Sequence, residues 1–301
     1  MRLASLAIVL AAIFAAGCGG GSSHSTTAAP GTLAALLARP GPDVALAQGT
    51  SDYAVGTVRV TFLVIDARAK PISRPRARVW VGTSLDSQPV VTTEAPLEPI
   101  GIPGKSEAAS GGVTRIYVAH FRLAKPGKYT IVVEPEGAAI QGVANVKVAK
   151  RPQAPAVGDR AIPSRTPTLA STHGDLAALT TASPPDRPLL RYSVADSLKE
   201  PAPFVLVFAT PKFCTSRTCG PVVDVAEAVE KRFSGTRVRF IHVEIYQDNN
   251  PSAGFNRWVK EWRLPTEPWV FLVGRDGRIK ARFEGSVSVA ELEAAVRATL
   301  L

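Results

Sequence analysis

Residues 203 to 209 read PFVLVFA, apolar without a break. A strand with one wet face alternates apolar and polar side chains, so an uninterrupted run of this length belongs to a strand covered on both faces. The surrounding chain must supply those two covers. PVVDVAEAVEKRF follows with helical spacing, TRVRFIHVEI reads as a strand, and SAGFNRWVKEW places Phe255, Trp258, Val259 and Trp262 on one helical stripe, expected as core. WVFLV and RIKARFEG, joined through GRDG at 274–277, predict a hairpin. Ser288 with Glu291 has the spacing of a capping box that opens a last helix. The expected order is β-α-β-α-β-β-α.

Upstream the pattern differs. From Tyr53 to Lys150 short segments such as VGTVRVTFLVID, ARVWVG, TRIYVAHF, KYTIVVEP and ANVKVAK are separated by Pro and Gly turns. Val58, Val60, Phe62 and Val64 alternate with less apolar neighbours, as half-buried antiparallel strands do. This predicts an all-β domain, an immunoglobulin-like sandwich, over 51–150. Residues 151–188 are rich in Pro, Ser, Thr and Ala and read as a linker, free or wrapped on the domain that follows at 189–301.

The N-terminus reads as an export signal: a single basic residue, an apolar run from Leu3 to Ala16, then Ala15-Ala16-Gly17-Cys18. The run is shorter than the roughly 20 residues a membrane span needs. The tetrapeptide resembles the lipobox of bacterial lipoproteins. That resemblance implies removal of residues 1–17, lipid on Cys18, a flexible tether over 18–50 and a location on the outer face of the cytoplasmic membrane or in the cell envelope. The other reading is an ordinary secretory signal in which Cys18 is incidental. The net charge of +10 is dispersed, without the aromatic and basic interleaving of single-strand nucleic-acid binders, so no nucleic-acid partner is expected.

An oxidising compartment gives the three cysteines meaning. If Cys18 carries lipid, Cys214 and Cys219 have only each other. In a regular helix residues five apart lie ~7.5 Å apart along the axis, with Cα atoms about 8.6 Å apart, and a disulfide tolerates at most ~7 Å. Two arrangements allow bonding. Either Pro221 is the first helical residue and 214–220 form a loop, or the helix begins near Thr215 and must unwind locally on oxidation.

Phe213 directly before Cys214, the segment NNPSAGFNRW, the segment LPTEPWVFLVGRDGRI and the terminal helix together resemble the thioredoxin-like superfamily, in particular its membrane-anchored, extracytoplasmic TlpA/ResA-type oxidoreductases and redoxins. The resemblance covers about a third of the chain and departs from the family's C-x-x-C, since the spacing here is C-x-x-x-x-C. It implies an α/β thioredoxin-like C-terminal domain and a thiol-disulfide oxidoreductase. In that reading Cys214 is the nucleophile and Cys219 the resolving thiol. Phe213 and a cis Pro268 lie against the substrate, and Glu267 accepts protons or is a plain surface acid. Lys212 and Arg217 add positive charge. The implied partners are protein thiols or disulfides of the envelope, an electron-donor or acceptor protein, and the membrane through Cys18. No organic cofactor signature and no metal-ligand set of suitable spacing is seen. Two alternatives stay open: a redox-inert binding module stapled by a structural disulfide, and a peroxiredoxin-like peroxidase, for which Thr210 stands one residue too early. His242 reads as a packed or surface residue.

Overall fold

The computed structural model describes residues 28–106, 113–139, 141–214 and 218–301. Cys18, the segment 1–17 expected as an export signal, and Arg217 lie outside the described residues. The described residues begin inside the segment 18–50 expected as a tether, and they carry a helix and a strand there. Helix α1 (Leu33–Leu37), capped by Thr32, packs Leu33 against Trp80 and Val132. Strand β1 (Val44–Gln48) pairs antiparallel with residues 62–66. Then come β2 (Tyr53–Ala54), β3 (Gly56–Asp66), β4 (Arg76–Gly82), β5 (Val91–Pro99), β6 (Arg115–Leu123), β7 (Gly127–Pro135) and β8 (Gly142–Ala149). The alternation at Val58, Val60, Phe62 and Val64 points all four into one core, each under 5 % exposed.

The expected two-sheet sandwich is corrected by the pairing. All eight strands form one continuous sheet in the order β1-β3-β6-β5-β4-β7-β8-β2, curled around its core. Strand β5 makes the connection, pairing with β4 from Val91 to Pro96 and with β6 from Leu97 onward. The N–H of Leu97 still donates to Pro75 O on the β4 side at 3.0 Å, so at this point β5 is held by both neighbours.

After an α-helical turn, α2 (Val194–Lys199), the chain forms β9 (Phe204–Phe208), α3 (Cys219–Phe233), β10 (Arg239–Val243), α4 (Arg257–Glu261), β11 (Trp269–Val273), β12 (Ile279–Glu284) and α5 (Val289–Thr299). The sheet order is β10-β9-β11-β12, with β10 parallel to β9 and the other pairs antiparallel. Here too the sequence expectation is corrected. The chain is mostly β, an eight-stranded and a four-stranded sheet with few helices, and does not support an α/β thioredoxin-like assignment. The helix expected over SAGFNRWVKEW shows why helix is scarce. Asn256 caps it late, accepting from the N–H groups of Trp258 and Val259, and Arg263 at φ +52° ends it after five residues. Phe255 falls outside that helix and is 39 % exposed, stacked on Tyr246, whereas Val259 and Trp262 are buried.

Strand β9 is wholly buried, as its sequence requires. Val205 and Val207 face α3 and α5, while Phe204, Leu206 and Phe208 face Trp262, Phe271 and the segment expected as a linker. That segment is the second cover. Ala154 and Ala161 are buried in it, the N–H of Gly158 donates to Ile279 O, and Trp262 Nε1 donates to Ser164 Oγ at 3.1 Å. No helix among the described residues is long and apolar enough to cross a membrane.

The two sheets are clasped together by charge. Arg59 of β3 donates from Nε and Nη2 to the two carboxylate oxygens of Glu291 on α5, at 2.7 and 2.8 Å, and from Nη2 to Ser286 O. Arg282 of β12 reaches Asp52 Oδ2 at 2.9 Å, and Glu284 accepts from the N–H groups of Ser51 and Asp52 and the hydroxyls of Ser51 and Thr266. Lys105 meets Asp224 and Glu227 on α3. Gly101, at φ +70°, lets its loop lie against α3, since a Cβ there would stand 2.8 Å from Pro221 Cβ.

Candidate functional site

The buried strand β9 ends at Phe208, and the chain turns through Thr210 and Lys212 before entering α3. The helix opens at Cys219, two residues earlier than a start at Pro221, and Pro221 sits in its first turn where a missing N–H costs nothing. Cys214 therefore lies just ahead of a helix N-terminus. The N–H of Cys219 donates to Cys214 Sγ at 3.2 Å, so a first-turn donor points at that sulfur.

The two sulfurs are not joined in a disulfide, and they are unequal: Cys214 is half-buried and Cys219 fully buried. Both Sγ atoms and a carboxylate oxygen of Glu267 lie within 4.8 Å of one another. Burial, first of all, pushes the Cys219 thiol far up from its ordinary range. A side-chain hydrogen bond with Cys214 and the charges of Cys214 and Glu267 add to this, and a backbone hydrogen bond from Thr210 opposes it. Cys219 is thus held as a neutral thiol beside a sulfur that faces a helix N-terminus.

Glu267 comes from the turn before β11 and precedes Pro268 through a cis peptide bond. Pro268 is buried and its carbonyl accepts from the N–H of Gly285 at 2.9 Å, which fixes the turn that carries Glu267. The Lys212 ammonium lies over the half-buried Phe213 ring, 5.4 Å from its centroid. Lys212 N donates to Thr181 Oγ1, and Thr181 donates from N and Oγ1 to the buried Glu244, so this turn is hung from the 151–188 segment. His242 is buried, with Nε2 3.0 Å from Ala209 O, and serves the core.

Spacing in the sequence does not disclose a metal-ligand set, yet folding brings three donors together. Cys214, Cys219 and Glu267 each offer one atom and can hold a thiophilic cation. Tyr246 also belongs to the surroundings. Its phenol is pushed up by burial and then by the charges of Glu267, Cys214 and Cys219. The signal for it was positional: Tyr246 follows β10 and Cys214 follows β9, two adjacent parallel strands whose ends lie side by side. Thr218 and Ser286, which line a cavity beside Glu267, carry no such signal. Comparison with known proteins finds no family model and no curated protein that matches this chain.

Proposed function

We propose that the chain is an exported protein, anchored to the membrane by lipid on Cys18, that exchanges disulfides with protein thiols through Cys214 and Cys219. The observation that supports this is the unequal pair: a half-buried cysteine just ahead of a helix N-terminus, a fully buried thiol, and a carboxylate, their ligand atoms all within 4.8 Å of one another.

The steps follow from that inequality. The Cys214 thiolate attacks one sulfur of a partner disulfide; the partner S–S bond breaks, and the displaced sulfur leaves as a thiolate and is protonated by solvent. Cys219 then gives its proton to the Glu267 carboxylate and attacks Cys214 Sγ. The mixed disulfide breaks, and the second partner sulfur leaves and takes that proton. The partner has gained two electrons and the pair has become a disulfide. A dithiol protein restores the pair by the same steps reversed.

The test uses purified protein with each cysteine replaced in turn. Cys214→Ser abolishes exchange with a disulfide substrate, and Cys219→Ser accumulates a mixed disulfide visible by mass spectrometry. A pair whose potential lies below about −300 mV and that resists mild reductant would make it a structural staple instead. Rapid peroxide consumption dependent on Cys214 would point to a peroxidase. Anchoring is tested by Cys18→Ser, which releases the protein from the membrane fraction.

A further inference from the structure

Where the two sheets meet, a cavity of about 280 Å³ adjoins the cysteine pair. Its apolar wall is made by Leu63, Ile100, Val113 and Ile116, all from the eight-stranded sheet and its loops. The facing wall carries Thr218, the residue that precedes α3, together with Glu267 and Ser286. One side of the cavity thus carries Thr218 and Glu267, the neighbours of the cysteine pair, and the other is supplied by the half of the chain that holds no cysteine among the described residues.

Two features mark it as a receptor rather than a packing gap. Ser286 is 3 % exposed, and its Oγ makes no hydrogen bond among the described residues. A hydroxyl removed from water without a partner costs free energy, which a bound polar group recovers. The walls are also held apart on a rigid frame. Gly285, at φ +71°, lets the backbones touch at the cavity edge, where a Cβ would stand 2.6 Å from Gly49 O, while Arg59 ties Ser286 O and Glu291 to β3.

The size decides the occupant. The volume lies just under the ~300–1,000 Å³ typical of pockets for whole small molecules, which suits one large side chain. We propose that the cavity receives an aliphatic or aromatic side chain from the residue next to the substrate protein's cysteine, its peptide group bonded by the Ser286 hydroxyl. This rests on the disulfide-exchange reading and adds the substrate class to it: extended polypeptide with a bulky apolar residue beside the reacting sulfur.

Two synthetic peptides test it, each with one cysteine in mixed disulfide with a chromophoric thiol and differing only in Leu or Ser beside that cysteine. 2-Hydroxyethyl disulfide, which has no side chain, reports on exchange itself. The Leu peptide should react about tenfold or more faster in kcat/KM, the range expected for burying one apolar side chain. Val113→Trp, which fills the cavity from its apolar wall, and Ser286→Val, which fills it from the facing wall and removes the hydroxyl, should each bring the Leu/Ser ratio towards one. A ratio near one in the unmodified protein, or a preference that survives whichever of the two variants folds, overturns the proposal. Reaction with 2-hydroxyethyl disulfide but with neither peptide overturns it while leaving disulfide exchange standing. No reaction with any of the three removes the exchange reading and this inference with it.

Discussion

The N–H of Cys219 donates to Cys214 Sγ at 3.2 Å, so the residue that would resolve a mixed disulfide also supplies, through its backbone, a donor to the sulfur that would form it. Substituting the Cys219 side chain leaves that N–H in place. A serine at 219 can therefore separate the second chemical step from the first.

The two thiols should differ sharply towards alkylation. Because burial holds the Cys219 thiol well up, iodoacetamide at neutral pH should modify Cys214 in the folded, reduced protein and spare Cys219 until denaturant is added. Peptide mass mapping reads the difference. Equal labelling in the folded protein would contradict the burial on which the division of roles rests.

Glu267 is placed to take the proton of Cys219, and its loss should slow the second step rather than the first. Glu267→Gln should leave formation of the mixed disulfide within a few-fold of the parent and slow its resolution about a hundredfold or more, the usual scale of general-base catalysis. Single-turnover quenching with acid, followed by mass spectrometry, resolves the two phases.

Arg59 and Glu291 form a two-bonded pair with side chains only 11 % and 17 % exposed. Removing one partner of such a pair strands the other, so Arg59→Ala should cost about 3 to 5 kcal/mol in denaturant unfolding. Arg59→Lys should recover only part of this, because a single ammonium cannot make both bonds.

Asp186 supplies a pH dependence of known sign. Burial, then the charges of Glu227 and Glu230, push its carboxyl up to about 6, against smaller opposing effects of Lys231 and Lys105. Between its unfolded value of 3.8 and that folded value the folded state holds the proton more tightly, so this group's contribution is full below the lower value and is lost as pH rises through the upper. Asp186→Asn should accordingly be more stable than the parent above pH 6, the difference vanishing near pH 4. Thermal melts of both proteins across that range check it. The side chain makes no cap bond at the start of the short 3₁₀ turn it precedes, so the substitution removes little else.

Much of this was legible where the signal is local. The unbroken run at 204–208 predicted a doubly covered strand, the alternation at 58–64 predicted a one-sided one, and Ser288 accepts from the N–H of Glu291 as a capping residue should. What was not legible depends on partners far away in the chain. Val44–Gln48 is too short and plain to announce a strand, and finds its pairing only on β3. The transfer of β5 at Pro96 from one neighbour to the next, which turns two expected sheets into one, is set by which strand lies alongside. The segment 151–188 has the composition of a spacer, yet Ala154 and Ala161 are core because Phe204, Leu206 and Phe208 needed a cover. At the site, the cysteine spacing pointed to the pair. The approach of Glu267 and the lone hydroxyl of Ser286 arise from chain turns that carry no distinctive residue pattern.

Glu284 collects donors from Ser51 and Asp52 on one side and from Thr266, the neighbour of Glu267, on the other. The piece of chain bearing the cysteines is for that reason not a portable cassette. Excised at residue 189 and grafted elsewhere, it would carry away a carboxylate stripped of three of its four donors and a hydrophobic face without its lid, and the turn that aims Glu267 would lose its outer brace.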